Sequence, residues 1–124
     1  MVKKLLALGG DGIGPEVLES GLKILETVSK GIKVNFDIDF DLIGGICWDK
    51  YGTFCRNITI QKAKEVDAIL VGAVGGPKWD AMKIKGDPVD QDGLMCLRKK
   101  LDTFFGIRPI TVSYTHLRAH ETQR

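Results

Sequence analysis

The chain has 124 residues, 44% of them hydrophobic and 27% charged, with a formal net charge of +2. That length holds one small domain or part of a larger one, and the composition is ordinary for a globular protein. So small a charge, with no basic run, argues against a nucleic-acid track; no apolar stretch reaches membrane-spanning length, and MVKKLLALGG meets its glycines too early for a signal peptide. Cys47, Cys55 and Cys96 are odd in number and lack zinc-like spacing, which predicts free thiols packed inside a protein of the reducing cytoplasm.

Residues 2–8, VKKLLAL, form a short apolar run that stops at Gly9 and Gly10 and predicts a buried strand. In GDGIGPEVLES (10–20), Pro15 suits the first turn of a helix and Glu16 favours its positive end. Val17, Leu18, Gly21, Leu22, Ile24, Leu25 and Val28 continue it at helical spacing, with an end expected near Gly31. The period then changes to two: Ile32, Val34, Phe36, Ile38 and Phe40 alternate with polar residues, the pattern of a half-buried strand.

Gly44 and Gly45 interrupt the chain, and a short turn or helix is expected over residues 48–54. A second helix over residues 58–66 precedes a buried strand, DAILV (67–71), that closes on GAVGGPKWD. A polar loop with Gly86 and Pro88 leads to a helix around residues 94–101, and residues 107–111 are expected to begin another strand. Strand, helix, strand, helix, strand is the order of an α/β fold with a parallel-rich sheet flanked by helices.

The segment Gly10–Glu16 is a tight glycine-rich strand-to-helix turn, but Pro15 stands where a dinucleotide fingerprint needs its third glycine. Two readings stay open for it, a plain sharp turn and a set of outward amide donors at a helix start. The loop Gly72–Asp80 follows a buried strand, where ligands of open α/β sheets bind. Its Gly75 and Gly76 allow close backbone approach, and Lys78 and Trp79 offer a cation and a flat face, although Trp79 could equally plug the core. Arg98 falls on the last predicted helix, and Arg108 directly precedes Pro109 after a break at Gly106. Two guanidinium forks brought together can grip a dicarboxylate, each donating paired charge-assisted hydrogen bonds; the competing reading is two solvated surface side chains.

Residues 112–122, VSYTHLRAHET, resemble one translated frame of a transposon-type sequencing adaptor. The expected organisation is therefore a partial α/β domain over residues 1–111 and a non-native tail over 112–124. That tail carries both histidines, His116 and His120, whose spacing suits one helix face, but no third ligand accompanies them and no metal site is read there. Asn57-Ile58-Thr59 matches a glycosylation acceptor by coincidence in a chain with no secretory features.

Taken in order, GDGIGPEV (10–17), DLIGGICWDKYGTF (41–54), DAILVGAVGGPKWD (67–80) and GLMCLRKKLDTFFGIRPI (93–110) resemble the β-decarboxylating hydroxyacid dehydrogenases, in particular their isopropylmalate branch. The resemblance covers residues 2–110, and members are roughly three times longer, so it implies an opening portion of such a protein. It implies NAD-dependent oxidation of a 2-hydroxy acid followed by loss of a carboxylate as carbon dioxide with Mg²⁺ or Mn²⁺, converting 3-isopropylmalate to 4-methyl-2-oxopentanoate in leucine biosynthesis. By the same resemblance Arg98 and Arg108 hold the substrate carboxylates, and Leu94, with Met95, lines the isopropyl pocket. Ile13, Gly75, Gly76, Pro77, Lys78, Trp79 and Asp80 border the NAD site, as does Gln91, where members often carry Glu.

Isocitrate-type members place serine-containing sequence at Leu94, and tartrate-type relatives usually lack the GGPKWD loop. A cytoplasmic protein acting on a small molecule follows, homodimeric at full length, with no membrane or nucleic-acid partner. The family's catalytic lysine and tyrosine, third substrate arginine and metal-binding aspartates would lie beyond residue 111, so this fragment is expected to be inactive. Two alternatives stay open: a dehydrogenase of another 2-hydroxy dicarboxylate (tartrate-, malate- or isocitrate-type), and a small non-catalytic α/β binding module.

Overall fold

The structure is a computed structural model that describes residues 1–82 and 92–112. Gln91, the loop with Gly86 and Pro88, and both histidines lie outside the described residues. Strands β1 (Val2–Gly10), β2 (Asn35–Asp41) and β3 (Ala68–Ala73) form one three-stranded sheet in the order β2-β1-β3. Both pairings are parallel, with Leu6 opposite Asp39 on one side and opposite Ile69 on the other. The central strand is covered on both faces, which is why residues 5–8 read as an unbroken apolar run and are all buried. Leu6 and Leu8 lead into a core completed by Ile43, Cys55, Ile60 and Leu97.

Helix α1 (Gly14–Ile32) starts at Pro15, as expected, and turns Leu18, Leu22 and Leu25 towards the sheet. It does not stop at Gly31. The left-handed position that ends it is Lys33, at φ 56°, whose N–H donates to the Ser29 carbonyl. Two consequences correct the sequence reading of the next strand. Ile32 belongs to the helix and is exposed, so β2 begins at Asn35. Phe40 is 60% exposed instead of facing inward, because α1 packs mainly over β1 and β3 and scarcely touches β2. The other flank of α1, with Val17, Ile24 and Val28, is likewise open to solvent.

The buried residue at the end of β2 is charged. The Asp41 side chain is 3% exposed and lies 2.7 Å from the Arg56 guanidinium and 3.4 Å from Lys62 Nζ. The Thr59 hydroxyl donates to it at 3.1 Å, which places the third residue of the Asn-Ile-Thr triplet fully inside the protein. Arg56 also stacks 3.9 Å above the Tyr51 ring. Helices α2 (Gly45–Tyr51) and α3 (Asn57–Glu65) carry these partners, with α2 starting earlier than the sequence suggested. The three cysteines form no disulfide and are buried; burial first, then the neighbouring Cys96, pushes the Cys55 thiol up to about 12, as befits packing groups.

After β3 come the short α4 (Pro77–Asp80) and α5 (Gly93–Lys100). Asp92 caps α5, its carboxylate accepting from the N–H groups of Leu94 and Met95. The strand expected over residues 107–111 is not formed: residues 103–112 belong to no helix or strand, and 102–112 are all exposed. A strand exists only through a hydrogen-bonded neighbour, and neither β2 nor β3 takes this segment as one. Among the described residues, no helix is long and apolar enough to cross a membrane.

Two outcomes follow from this packing. A Cβ at Gly93 would stand 2.7 Å from the Phe54 carbonyl oxygen and 2.8 Å from the Gly44 nitrogen. Gly93→Ala is therefore expected to destabilise the chain by about 1–3 kcal/mol in chemical denaturation, because backbone atoms must move; an unchanged midpoint would show that α5 does not seat there. Burial acts to raise the Asp41 carboxyl, but hydrogen bonds from Arg56, the Leu42 N–H and Thr59 outweigh it and hold the group below its ordinary range. A depressed carboxyl stabilises the fold above its unfolded value, about 3.9, and that stability is lost as pH falls through the folded value. Asp41→Asn should lower the melting temperature at neutral pH and flatten its decline below pH of about 4; an identical acid limb in the variant would contradict the assignment.

Candidate functional site

The strand order β2-β1-β3 places the reversal of winding between β1 and β3, and ligands of open α/β sheets bind beyond the carboxyl ends at such a point. The two loops that leave those ends, Asp11–Ile13 and Val74–Gly76, are the two glycine-rich segments singled out in the sequence. They meet through Asp11, a residue the motif reading passed over. Its carboxylate is 3% exposed and accepts from three backbone N–H groups, Gly45 at 2.8 Å, Ile46 at 2.7 Å and Gly75 at 2.8 Å. Its own N–H donates to the Ala73 carbonyl at 2.7 Å. The signal was a lone acid between glycines, but nothing local in the sequence names amides 34 and 64 positions away as its partners. Ile13, two residues on, is 64% exposed.

Beyond Gly75 and Gly76, α4 folds against α2. Lys78 Nζ lies 2.7 Å from Asp49 Oδ2, and Trp79 Nε1 donates to Asp49 Oδ1 at 3.2 Å. These two hydrogen bonds, Lys78 first, hold the Asp49 carboxyl below its ordinary range. The Trp79 ring presses on Gly45 so closely that a Cβ there would come within 2.0 Å of it. Trp79 is half-buried against Gly45 and also borders open space. That space is a hollow of about 270 Å³ whose lining includes Gly44, Gly45, Phe54, Gly75, Trp79 and Asp80. Ile13, Gly76, Pro77 and Lys78 are not among its lining residues, and Gln91 lies outside the described residues.

A second hollow, about 440 Å³, is lined by Arg98, Phe105, Gly106, Ile107 and Arg108. The two arginines singled out in the sequence therefore share one cavity, although Arg108 reaches it from an irregular segment instead of a strand. Both are exposed, and neither takes part in an ion pair among the described residues. Leu94, half-buried, stands one helical turn before Arg98 and on the same side of α5. Met95 is 43% exposed and its sulfur lies 3.7 Å from an Arg98 guanidinium nitrogen. Helix α5 joins the hollows, since Asp92 and Gly93 line the first and Arg98 lines the second, roughly 8 Å along the helix axis from Gly93. Chemically, the first hollow offers glycine backbone and an aromatic edge to a flat neutral group, and the second offers two planar cations to an anion. No group of three or more His, Cys, Asp or Glu side chains that could hold a metal ion occurs among the described residues.

The chain matches the family model described as isocitrate/isopropylmalate dehydrogenase over residues 4–124. It is 46% identical over 110 residues to the 3-isopropylmalate dehydrogenase of Dehalococcoides mccartyi strain 195, covering 89% of this chain and 30% of that protein. The Bacillus subtilis enzyme of that name is 43% identical over 112 residues, covering 90% of this chain and again 30% of its own length. The chain thus spans about 30% of the length of the curated relatives it matches. Among solved structures, a β-decarboxylating dehydrogenase from Thermococcus kodakarensis in its apo form superposes with a TM-score of 0.61 at 22% identity, covering 81% of this chain and 27% of that one. Isocitrate dehydrogenase from Methylococcus capsulatus gives 0.56 at 21% identity, covering 72% of this chain and 24% of its own. These two likenesses bear on the fold alone, whereas the extent of the family match and the identities above bear on descent: the chain belongs to the isocitrate/isopropylmalate dehydrogenase family.

Proposed function

We propose that this chain is the opening portion of an NAD-dependent oxidative decarboxylase that acts on 3-isopropylmalate in leucine biosynthesis, in the cytoplasm and as a homodimer at full length. The observation that carries the substrate class is the second hollow, where Arg98 and Arg108 present guanidinium groups that no carboxylate of the described residues neutralises. Two such forks answer the two acid ends of a malate-like dianion. Leu94, a turn away, supplies apolar surface for a branched alkyl group, and an extra carboxylate there would be left unpaired. The relatives' printed name, 3-isopropylmalate dehydrogenase, supports the same substrate.

The dinucleotide is assigned to the first hollow and its rim. Gly75, Trp79 and Asp80 would border it there, with Gly76, Pro77, Lys78 and Ile13 nearby in the two loops and α4, and the nicotinamide ring would accept the hydride leaving the substrate's carbinol carbon. This chain's own part is to bind and orient. α5 carries the substrate arginine at one end and backs the cofactor hollow at the other. The family reading also implies Mg²⁺ or Mn²⁺, but the described residues include no group of three His, Cys, Asp or Glu side chains to hold it.

The proposal is tested by titrating the chain with 3-isopropylmalate and following binding by NMR, no turnover being expected. Arg98→Ala and Arg108→Ala should each weaken binding roughly tenfold or more, the cost of one charge-assisted pair. Leu94→Ser should shift preference from isopropylmalate towards malate by about 1–3 kcal/mol. Equal binding by both arginine variants would overturn the substrate assignment.

A further inference from the structure

We infer that Asp11 is the positioning residue that locks the two loops of the proposed cofactor site to each other. The inference rests on the dinucleotide reading above only for what the loops bind, not for how they are held. Three pieces of chain converge on this residue: its own turn, the start of α2, and the loop after β3. Oδ2 accepts from both Gly45 N–H and Gly75 N–H, while Oδ1 accepts from Ile46 N–H. The main chain of Asp11 adds two more bonds, donating to Ala73 and accepting from Gly14 N–H at 2.7 Å.

A carboxylate so deeply buried ordinarily needs a cation, yet none lies within ion-pair distance of Asp11 among the described residues. Its charge is satisfied by amide donors alone. Those amides are ones that regular structure leaves without a partner: Gly45 and Ile46 open a helix, and Gly75 sits in a loop at φ 100°. The arrangement is therefore reciprocal. The amides keep the charge buried, and the charge fixes where the loop leaves β3. Trp79 and Lys78 follow four and three residues after Gly75, and their shared partner Asp49 rides on the same α2 whose first turn Asp11 holds. Asp11 at the inner end and Asp49 at the outer end thus set α4 against α2. The sheet core, built on Leu6, Leu8 and Ile43, includes none of these bonds.

This separation gives the role a signature distinct from general stability. In the unaltered chain the Gly75 amide, although in a loop, should exchange with solvent slowly, as should those of Gly45 and Ile46. In Asp11→Asn the replacement amide can accept at only one of its two terminal atoms, so one of the three N–H groups at least loses its acceptor. Exchange at the three sites should rise roughly tenfold or more, while amides of residues 6–8 in β1 keep their rates. Asp11→Ala should show the larger change. A fast-exchanging Gly75 in the unaltered chain overturns the inference without any variant being made. So does an acceleration in Asp11→Asn that is spread evenly through β1, which would mark a plain fold staple. NAD added to the unaltered chain should slow Gly75 and Gly14 together and bind Asp11→Asn roughly tenfold more weakly; if NAD leaves the unaltered chain unmoved, the dinucleotide reading fails while the exchange comparison still decides the role of Asp11.

Discussion

The arrangement depends first on two backbones meeting with nothing between them. At the carboxyl end of the sheet the turn after β1 lies directly on the end of β3. A Cβ at Gly72 would fall 2.2 Å from the Gly14 carbonyl oxygen and 2.4 Å from that of Gly9, and one at Gly10 would fall 1.9 Å from that of Ala73. Side chains at either place would wedge the strands' exits apart and carry the turn away from the loop. With the glycines in place the contact is close enough for Asp11 N–H to reach the Ala73 carbonyl, and the carboxylate then takes up the amides beside it. Glycine here serves approach as much as turning.

Charge is distributed around that contact in a way that separates structure from recognition. Arg56 and Lys62 are drawn to Asp41 inside the α2–α3 corner, and Lys78 is drawn to Asp49 on the rim. Asp11 is answered by amides and leaves no cation engaged. Arg98 near the far end of α5 and Arg108 in the irregular segment beyond it pair with no carboxylate of the described residues and are exposed in a shared hollow. Among the described residues the interior charges are thus met locally, while these two guanidinium groups line a hollow without an ion-pair partner.

What was legible in the sequence follows from the range over which the physics acts. The run LLAL announced a central strand because burial on both faces leaves no room for polar alternation, whereas DAILV, also expected to be buried, forms an edge strand whose residues are half-buried or exposed. Pro15 marked the start of α1 because its missing N–H costs nothing in a first turn. The end of that helix was misplaced since Gly31 is the residue type favoured in a left-handed cap, yet Lys33 adopts it. Phe40 was misread because alternation tells which face a side chain takes, not whether a helix covers that face. Asp11 and Asp41 escaped notice as interior groups because their partners come from distant segments. The segment 107–111 looked like a strand by residue type, but strand formation is a property of a pair, and composition describes only one member.

Helix α5 ties the two hollows into one geometry. Its first residue is wedged against the Phe54 carbonyl and the Gly44 amide, at a distance that only glycine tolerates, and Asp92 caps its first turn. The starting point of the helix is thereby fixed to the same Gly44–Gly45 corner that Asp11 binds and on which Trp79 rests. From that origin the helical rise and turn determine where Leu94 and Arg98 stand, with no loop in between to absorb error. The spacing between the aromatic hollow and the arginine hollow is thus set by a rigid element anchored at one end. Only Arg108 is carried by irregular chain, so helix geometry fixes where Arg98 stands but not where Arg108 does.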